Sequence, residues 1–245
     1  MQSILLLTQY FTRIPINKTL DYSEEAFRWA SFLLSLHAAF VALIPMGVSL
    51  ALSFGRAPVL INALVTLTVA LAVTGAFHLD GFADTLDGLF SGRPKARILE
   101  IMKDPTMGSY GTTGIFLNLA FKTFIYYELI LSGRIFLLSL MAASGKLALA
   151  LTAQVGKRAK ANSSANNWIQ NVPKSAILVN FSVCMIMAFF LGVAPESALA
   201  MVMIFLGTLL FINYCHGKID GIVGDNLGFS AEIGEIILGI FLVWI

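Results

Sequence analysis

Apolar residues fall into long runs along the chain, separated by short polar stretches. A helix needs about 20 apolar residues to cross the hydrocarbon core of a membrane. The runs therefore predict about seven membrane-spanning helices, near residues 29–54, 57–79, 112–131, 135–155, 176–194, 198–215 and 229–245. The first eleven residues are apolar but too few to span a membrane. We expect them to lie along the interface, and we expect short re-entrant or interfacial segments elsewhere.

The composition agrees with a membrane protein. Of the 245 residues, 58% are hydrophobic and only 12% are charged, and the mean hydropathy is +0.82. So few charges cannot cover a globular surface. We predict an all-α, polytopic membrane bundle that forms a single transmembrane domain over residues 1–245, with the lipid bilayer as a partner. A net charge of +2 and the lack of a basic patch interleaved with aromatic residues exclude nucleic acid.

Basic residues are distributed unevenly between alternate loops. Twelve of the 16 Lys and Arg residues lie in the N-terminal segment and in the polar stretches 80–111, 156–175 and 216–228. The opposite loops hold only Arg56 and Arg134. Because positively charged loops stay on the cytoplasmic side, we expect the N-terminus and these stretches to face the cytoplasm. Seven spans would then leave the C-terminus outside.

Three aspartates follow the second apolar run at helical spacing. Asp80, Asp84 and Asp87 stand at positions i, i+4 and i+7, which in a helix places them within an arc of about 60°. Like charges at this spacing repel one another, by roughly 0.2–0.5 kcal/mol per neighbouring pair. We therefore expect a cation beside them. The alternative is that they cap helices or coat a solvated loop, as many aspartates do.

The next polar residues supply further oxygen ligands and exposed backbone amides. Lys103 and Asp104 are followed by Gly108 and Gly111. Carboxylates hold Mg²⁺, while backbone N–H groups and lysine side chains bind phosphate oxygens. This stretch and the three aspartates together predict a Mg²⁺-phosphate site.

A second glycine-rich polar segment precedes the last apolar run. It contains Gly224, Asp225 and Gly228, and its glycines would let the backbone approach a phosphate closely. A tight re-entrant turn is the alternative interpretation. Because the segment is expected on the same membrane face as Asp80, Asp84, Asp87 and Asp104, Asp225 could join the metal ligands.

The absence of other motifs narrows the reaction class. The sequence has no nucleophile elbow, no Ser-His-Asp order and no Walker A loop, so acyl transfer and P-loop ATP hydrolysis have no candidate residues. Phosphoryl transfer from a pyrophosphate-linked donor fits the carboxylates better, with one aspartate taking the proton of the acceptor hydroxyl. At membrane depth, Lys122 and Lys146 suit either a phosphate contact or structural pairing.

These motifs together resemble the cobalamin synthase family, also called adenosylcobinamide-GDP ribazoletransferase. The resemblance spans about residues 10–240, and it rests on Phe11-Thr-Arg-Ile-Pro15, His78-Leu-Asp-Gly-Phe-Ala-Asp-Thr-Leu-Asp-Gly-Leu-Phe90, Glu100-Ile-Met-Lys-Asp104 and Gly224-Asp-Asn-Leu-Gly228. The resemblance implies a Mg²⁺-dependent inner-membrane transferase. Such an enzyme joins adenosylcobinamide-GDP to α-ribazole, or to α-ribazole 5′-phosphate, and releases GMP.

The resemblance also implies roles for individual residues. Asp80, Asp84 and Asp87 would hold Mg²⁺, and Asp104 and Asp225 would complete its ligands or act as the base. Arg13, Lys103 and Lys122 match positions that could meet phosphates. The expected substrates are adenosylcobinamide-GDP and α-ribazole or its 5′-phosphate. Self-association and association with other cobalamin-assembly enzymes are left open.

Two other functions compete with this interpretation. A CDP-alcohol phosphotransferase also gathers aspartates at a cytoplasmic membrane face, but here the Ala-Arg pair of that family is missing after Asp80-Gly81. A cation-coupled transporter would need acidic residues that are accessible from both sides. The predicted carboxylates lie on one side only.

Overall fold

The computed structural model describes residues 2–159 and 167–244. Residues 160–166, the centre of the predicted 156–175 loop, lie outside the described residues. Within the described ranges the chain is helical and contains no β-strand, only an isolated parallel bridge between Arg158 and Ile222. The predicted all-α class is confirmed.

Twelve α-helices and one 3-10 turn (Ser31–Leu33) make up the described chain. The helices are α1 (Gln2–Phe11), α2 (Glu24–Ala30), α3 (Leu34–Val41), α4 (Leu43–Phe54), α5 (Val59–Thr74), α6 (Phe77–Leu89), α7 (Lys95–Ile101), α8 (Ser109–Leu131), α9 (Leu137–Val155), α10 (Lys174–Phe190), α11 (Ala194–Ile219) and α12 (Gly224–Val243).

Helix length and hydropathy support five membrane spans among the described residues, or six if α5 and α6 together count as one bent span. The five are the continuous segment Glu24–Phe54 and helices α8, α9, α11 and α12. Helix α10 is apolar but has only 17 residues, about 26 Å at 1.5 Å per residue. The expected number of seven spans is therefore not reproduced by length and composition alone.

The predicted span 57–79 is interrupted. Helix α5 ends at Thr74, Gly75 and Ala76 take left-handed conformations with φ of 64° and 54°, and α6 leaves at 88° to α5. The apolar run hides this break, because Ala76, Phe77 and Leu79 continue it past Gly75. The aspartates therefore lie on a helix that turns away from the direction of α5, and much of the expected 80–111 loop is helical.

Helix α9 forms the centre of the bundle and packs against α3, α10, α11 and α12. Small residues permit this packing. A side chain on Gly145 would come within 2.8 Å of the Ala231 carbonyl oxygen in α12, and one on Gly234 within 2.9 Å of Ala148. Close backbone approach at small residues is the usual way in which helices associate in membranes.

The polar segments meet at one end of the bundle. Lys95 pairs with Asp220 at 2.7 Å, Arg158 lies 3.5 Å from Glu24, and the Arg13 backbone N–H donates to Val73 O at 2.7 Å. The N-terminal segment and the stretches 80–111 and 216–228 thus share a face, together with the described part of 156–175. This agrees with the alternation of basic loops in the sequence.

Candidate active site

Helix α6, which carries the three aspartates, lies against α7, α8 and α12. Its contact with α12 depends on two glycines. A side chain on Gly81 would stand 2.9 Å from Asp225 Cα, and one on Gly228 would stand 2.9 Å from the His78 carbonyl oxygen. Because neither glycine has a side chain, the two backbones touch. This crossing brings Asp225 beside the aspartate helix.

Asp80 and Asp225 line the same cleft, which has a volume of about 120 Å³. Asp84 is partly buried next to them. Its burial, together with the charges of Asp225, Asp80 and Asp87, raises the pKa of Asp84 to about 7. The predicted cluster of mutually repelling carboxylates therefore exists, and Asp225 belongs to it.

Asp87 is engaged by the protein itself. Its two carboxylate oxygens accept hydrogen bonds from the backbone N–H groups of Gly108 at 2.7 Å and Gly111 at 2.9 Å, and the residue is 9% exposed. A carboxylate at a helix N-terminus satisfies unpaired N–H groups and interacts favourably with the helix dipole. Asp87 thus caps α8, and the two glycine N–H groups, which were expected to meet phosphate, are used in this cap.

Asp104 and Lys103 are exposed in the turn after α7. Asp104 accepts hydrogen bonds from the Thr106 hydroxyl and from the Thr106 backbone N–H. These hydrogen bonds, with a smaller contribution from Arg97, lower the pKa of Asp104. Its charge is therefore balanced locally. Asp104 is not one of the charged residues that raise the pKa of Asp84, so the structure does not place it in the carboxylate cluster.

Arg13 lies at the sharp turn between α5 and α6. Its backbone bonds to Val73, and its side chain covers Gly75, where a Cβ would collide with the Arg13 Nε. The residue is exposed. Arg13 thus stands near the start of the aspartate helix.

Lys122 is buried in an ion-pair cluster at membrane depth. Its Nζ atom lies 2.6 Å from Glu232 Oε2 and 2.7 Å from Glu235 Oε2, and Asn118 donates to Glu232 at 3.0 Å. The lysine was expected to contact phosphate. The structure instead shows structural pairing, the other interpretation of the sequence, because the ammonium group forms ion pairs with two carboxylates of α12.

The structure adds a contact that sequence reasoning did not assign. Lys146 Nζ lies 2.8 Å from His78 Nε2 and 3.2 Å above the ring centre of Phe11. His78 and Phe11 both line the cleft that contains Asp80. The presence of Lys146 at membrane depth was the only sequence signal, and it did not reveal the partner. The pair links α6 to α9 next to Phe11 of α1.

The described residues do not supply a complete set of Mg²⁺ ligands without substrate or water. Among residues 2–159 and 167–244, no group of three or more His, Cys, Asp or Glu side chains could hold a metal ion. However, Mg²⁺ commonly keeps several waters and binds through one or two carboxylates plus substrate phosphates. The all-oxygen set of Asp80, Asp84 and Asp225, whose mutual repulsion a cation would relieve, fits that mode of binding.

Comparison with known proteins decides the family. Residues 3–243 match the model of a family described as cobalamin-5-phosphate synthase. The chain belongs to this family. An adenosylcobinamide-GDP ribazoletransferase of Clostridium botulinum (strain Okra) is 36% identical over 246 residues, which cover 100% of this chain and 98% of the relative. The resemblance to the cobalamin synthase family noted in the sequence is thus confirmed.

Other relatives carry the same name. Adenosylcobinamide-GDP ribazoletransferases of Clostridium novyi and Clostridium tetani are 33% and 31% identical, covering 99% and 96% of this chain and 97% and 93% of the relatives. No solved structure matches the chain.

Proposed function

We propose that this protein is a Mg²⁺-dependent adenosylcobinamide-GDP ribazoletransferase. It would join adenosylcobinamide-GDP to α-ribazole, or to its 5′-phosphate, and release GMP. The observation that carries the proposal is the crossing of α6 and α12 at Gly81, which places Asp225 beside Asp80 and Asp84 at a cleft. The family membership of the whole chain supports the same activity.

The carboxylates would hold the ion, and the neighbouring elements would hold the substrates. Mg²⁺ would bind through one or two carboxylates of Asp80, Asp84 and Asp225, with water and substrate phosphates as its other ligands. Bound Mg²⁺ would neutralise charge on the pyrophosphate. Arg13, near the start of α6, and Lys103, in the exposed turn after α7, are the cations proposed to meet phosphate oxygens. Asp87 would act through α8, whose first turn it holds beside the cluster.

The reaction exchanges one P–O bond for another. A ribose hydroxyl oxygen of the acceptor forms a bond to the cobinamide-linked phosphorus, and the bond from that phosphorus to GMP breaks. The hydroxyl proton passes to a carboxylate of the cluster, and GMP carries away the negative charge. Catalysis would then consist mainly of positioning and charge stabilisation, as in other phosphoryl transfers.

We infer that the site faces the cytoplasm of the inner membrane. The basic stretches that predict this orientation meet at one end of the bundle, and Asp80, Asp84 and Asp225 lie among them. The opposite end carries Arg56 and Arg134. Association with a second copy or with other cobalamin-assembly enzymes stays a prediction.

The competing functions gain no support from the structure. The acidic residues at membrane depth, Glu232 and Glu235, are paired with Lys122, whereas a cation-coupled transporter would need them to bind and release its ion. The matched family and relatives are ribazoletransferases, which does not favour a CDP-alcohol phosphotransferase.

The test is GMP release by the purified, detergent-solubilised protein. Adenosylcobinamide-GDP and α-ribazole are supplied with and without Mg²⁺, and the joined corrinoid is detected by mass spectrometry. We expect release to need both α-ribazole and Mg²⁺. Asp84→Asn should lower the rate by about 10²-fold or more, since it removes a charge from the reacting centre.

Asp220→Asn is the matched control. Asp220 lies on the same face but pairs with Lys95 outside the cleft, and Asn also tolerates its left-handed backbone conformation (φ 59°). Full activity in Asp220→Asn with loss in Asp84→Asn supports the assignment. A folded, Mg²⁺-loaded protein that releases no GMP, or an equal loss in both variants, contradicts it.

A further inference from the structure

The cleft beside Asp80 and Asp225 has an aromatic wall. We call this wall the aromatic cage, and it consists of Tyr10, Phe11, Phe77 and Trp168. The Tyr10 ring centre lies 4.8 Å from that of Phe11, 5.8 Å from that of Phe77 and 5.7 Å from that of Trp168. Three separate chain segments therefore converge on one side of the cleft, while the aspartates stand on α6 and α12.

Trp168 brings an unsatisfied donor to this wall. The residue is 1% exposed, and its indole Nε1 is buried and has no hydrogen-bond partner among the described residues. Burial raises the pKa of Tyr10, and the nearby Trp168 side chain lowers it by a smaller amount. Buried polar groups are normally paired, so an orphaned donor beside a cleft suits a ligand that brings an acceptor.

The size of the cleft limits what can bind. Its volume of about 120 Å³ is well below the roughly 300–1,000 Å³ of pockets that enclose a drug-sized ligand. A corrinoid or a whole nucleotide cannot enter it. One planar ring system can, with its faces and edges against aromatic side chains.

We propose that the aromatic cage binds the planar heteroaromatic base of the acceptor nucleoside, with a ring nitrogen accepting from Trp168 Nε1. This inference rests on the proposed function, which supplies such an acceptor. Asp80 and Asp225 line the same cleft. A sugar attached to a base in the cage therefore reaches the carboxylates, and its hydroxyl group lies where its proton can be taken.

A binding experiment tests the cage without catalysis. Equilibrium dialysis, with protein-free micelles as the blank and without donor or Mg²⁺, compares 1-methylbenzimidazole with 1-methylindole. The two molecules have the same size and shape, but only the first offers a ring-nitrogen acceptor. We expect 1-methylbenzimidazole to bind about tenfold more tightly, equivalent to about 1.4 kcal/mol. Trp168→Phe should remove this preference, whereas Trp29→Phe, at a 62% exposed residue on α2, should keep it.

A kinetic experiment separates the acceptor from the donor. Phe77 is 50% exposed, so Phe77→Ala should leave the fold intact, and Phe136→Ala at 51% exposure is its matched control. Because stacking on an aromatic ring contributes to base binding, we expect Phe77→Ala to raise KM for α-ribazole about fivefold or more. Its KM for adenosylcobinamide-GDP should stay unchanged, as should both constants in Phe136→Ala.

The outcomes distinguish this proposal from the proposed function. Equal binding of the two probes, or a preference that survives in Trp168→Phe, overturns the cage as a base site even if the enzyme releases GMP. If Phe77→Ala raises the KM for adenosylcobinamide-GDP as much as the KM for α-ribazole, the cage is likewise overturned as a base site. If the benzimidazole preference is found and depends on Trp168 but no GMP is released, the cage stands and the transferase assignment fails.

Discussion

The contact between α6 and α12 at Gly81 makes a sharp prediction, because Gly81→Ala adds a single carbon where two backbones meet. The new Cβ would lie 2.9 Å from Asp225 Cα and 3.0 Å from the Asp225 carbonyl oxygen. Ordinary carbon contacts begin at about 3.5–4.0 Å. The atoms that it meets belong to a helix backbone and cannot rotate away, so the helices must separate by about 0.5–1 Å.

Such a shift is small for the fold but large for the chemistry. Overpacking of this kind costs about 1–3 kcal/mol of stability, and the variant should therefore still fold. Misplacement of reacting groups by about 1 Å can lower a rate by about 10²-fold. We expect Gly81→Ala to lower kcat for GMP release by about 10- to 100-fold, because Asp225 moves away from Asp80 and Asp84.

The assay is steady-state GMP release at saturating substrates and Mg²⁺, together with the melting temperature of each variant in detergent. Gly217→Ala is the control, since a Cβ there meets nothing within 4 Å and alanine favours a helix by about 1 kcal/mol over glycine. That variant should keep full activity. Wild-type kcat in a folded Gly81→Ala protein, or a loss no greater than its unfolded fraction, would show that this crossing does not position the carboxylates.

Three further predictions concern charged residues. Asp87→Asn weakens two charge-assisted hydrogen bonds, each contributing about 1.5–3 kcal/mol, so amide hydrogen exchange at Gly108 and Gly111 should become faster. The Mg²⁺ concentration that gives half-maximal activity should stay unchanged. A large rise in that concentration would instead identify Asp87 as a Mg²⁺ ligand. Lys122→Met leaves two buried carboxylates unpaired and should destabilise the protein by about 3–5 kcal/mol, measured as detergent melting; an unchanged melting temperature contradicts this. Because the pKa of Asp84 is raised to about 7, its carboxyl group is mostly protonated below that pH. The apparent Mg²⁺ affinity, measured by calorimetric titration, should therefore fall as the pH decreases through 7. If Asp84→Asn shows the same dependence of Mg²⁺ affinity on pH, protonation of Asp84 is not the cause.

Local spacing was sufficient to predict the aspartate helix but not its surroundings. Periodicity placed Asp80, Asp84 and Asp87 on one helix, and the structure has all three in α6. The partners of Asp87 stand 21 and 24 residues further along the chain. No local pattern indicates which backbone N–H groups return to it, and so the cap could not be distinguished from a metal ligand.

Hydropathy likewise missed the break before α6. The apolar run continues through Leu79, whereas the chain turns at Gly75 and Ala76 by means of two left-handed residues. Side-chain polarity does not report backbone dihedral angles. The pairing of Lys122 with carboxylates 110 and 113 residues away depends on tertiary packing, which a single sequence left open between two interpretations.

The buried cluster of Lys122, Glu232 and Glu235 has a consequence for biogenesis. Helix α8 is synthesised and inserted long before α12 emerges, so its lysine enters the bilayer without the carboxylates that later pair with it. A lone lysine at the centre of a membrane helix costs about 2.5–3.5 kcal/mol on translocon scales. Insertion of α12 supplies the carboxylates and removes this penalty. A chain whose synthesis stops before α12 would therefore keep an unpaired lysine in the membrane, which favours its removal from the bilayer or its degradation.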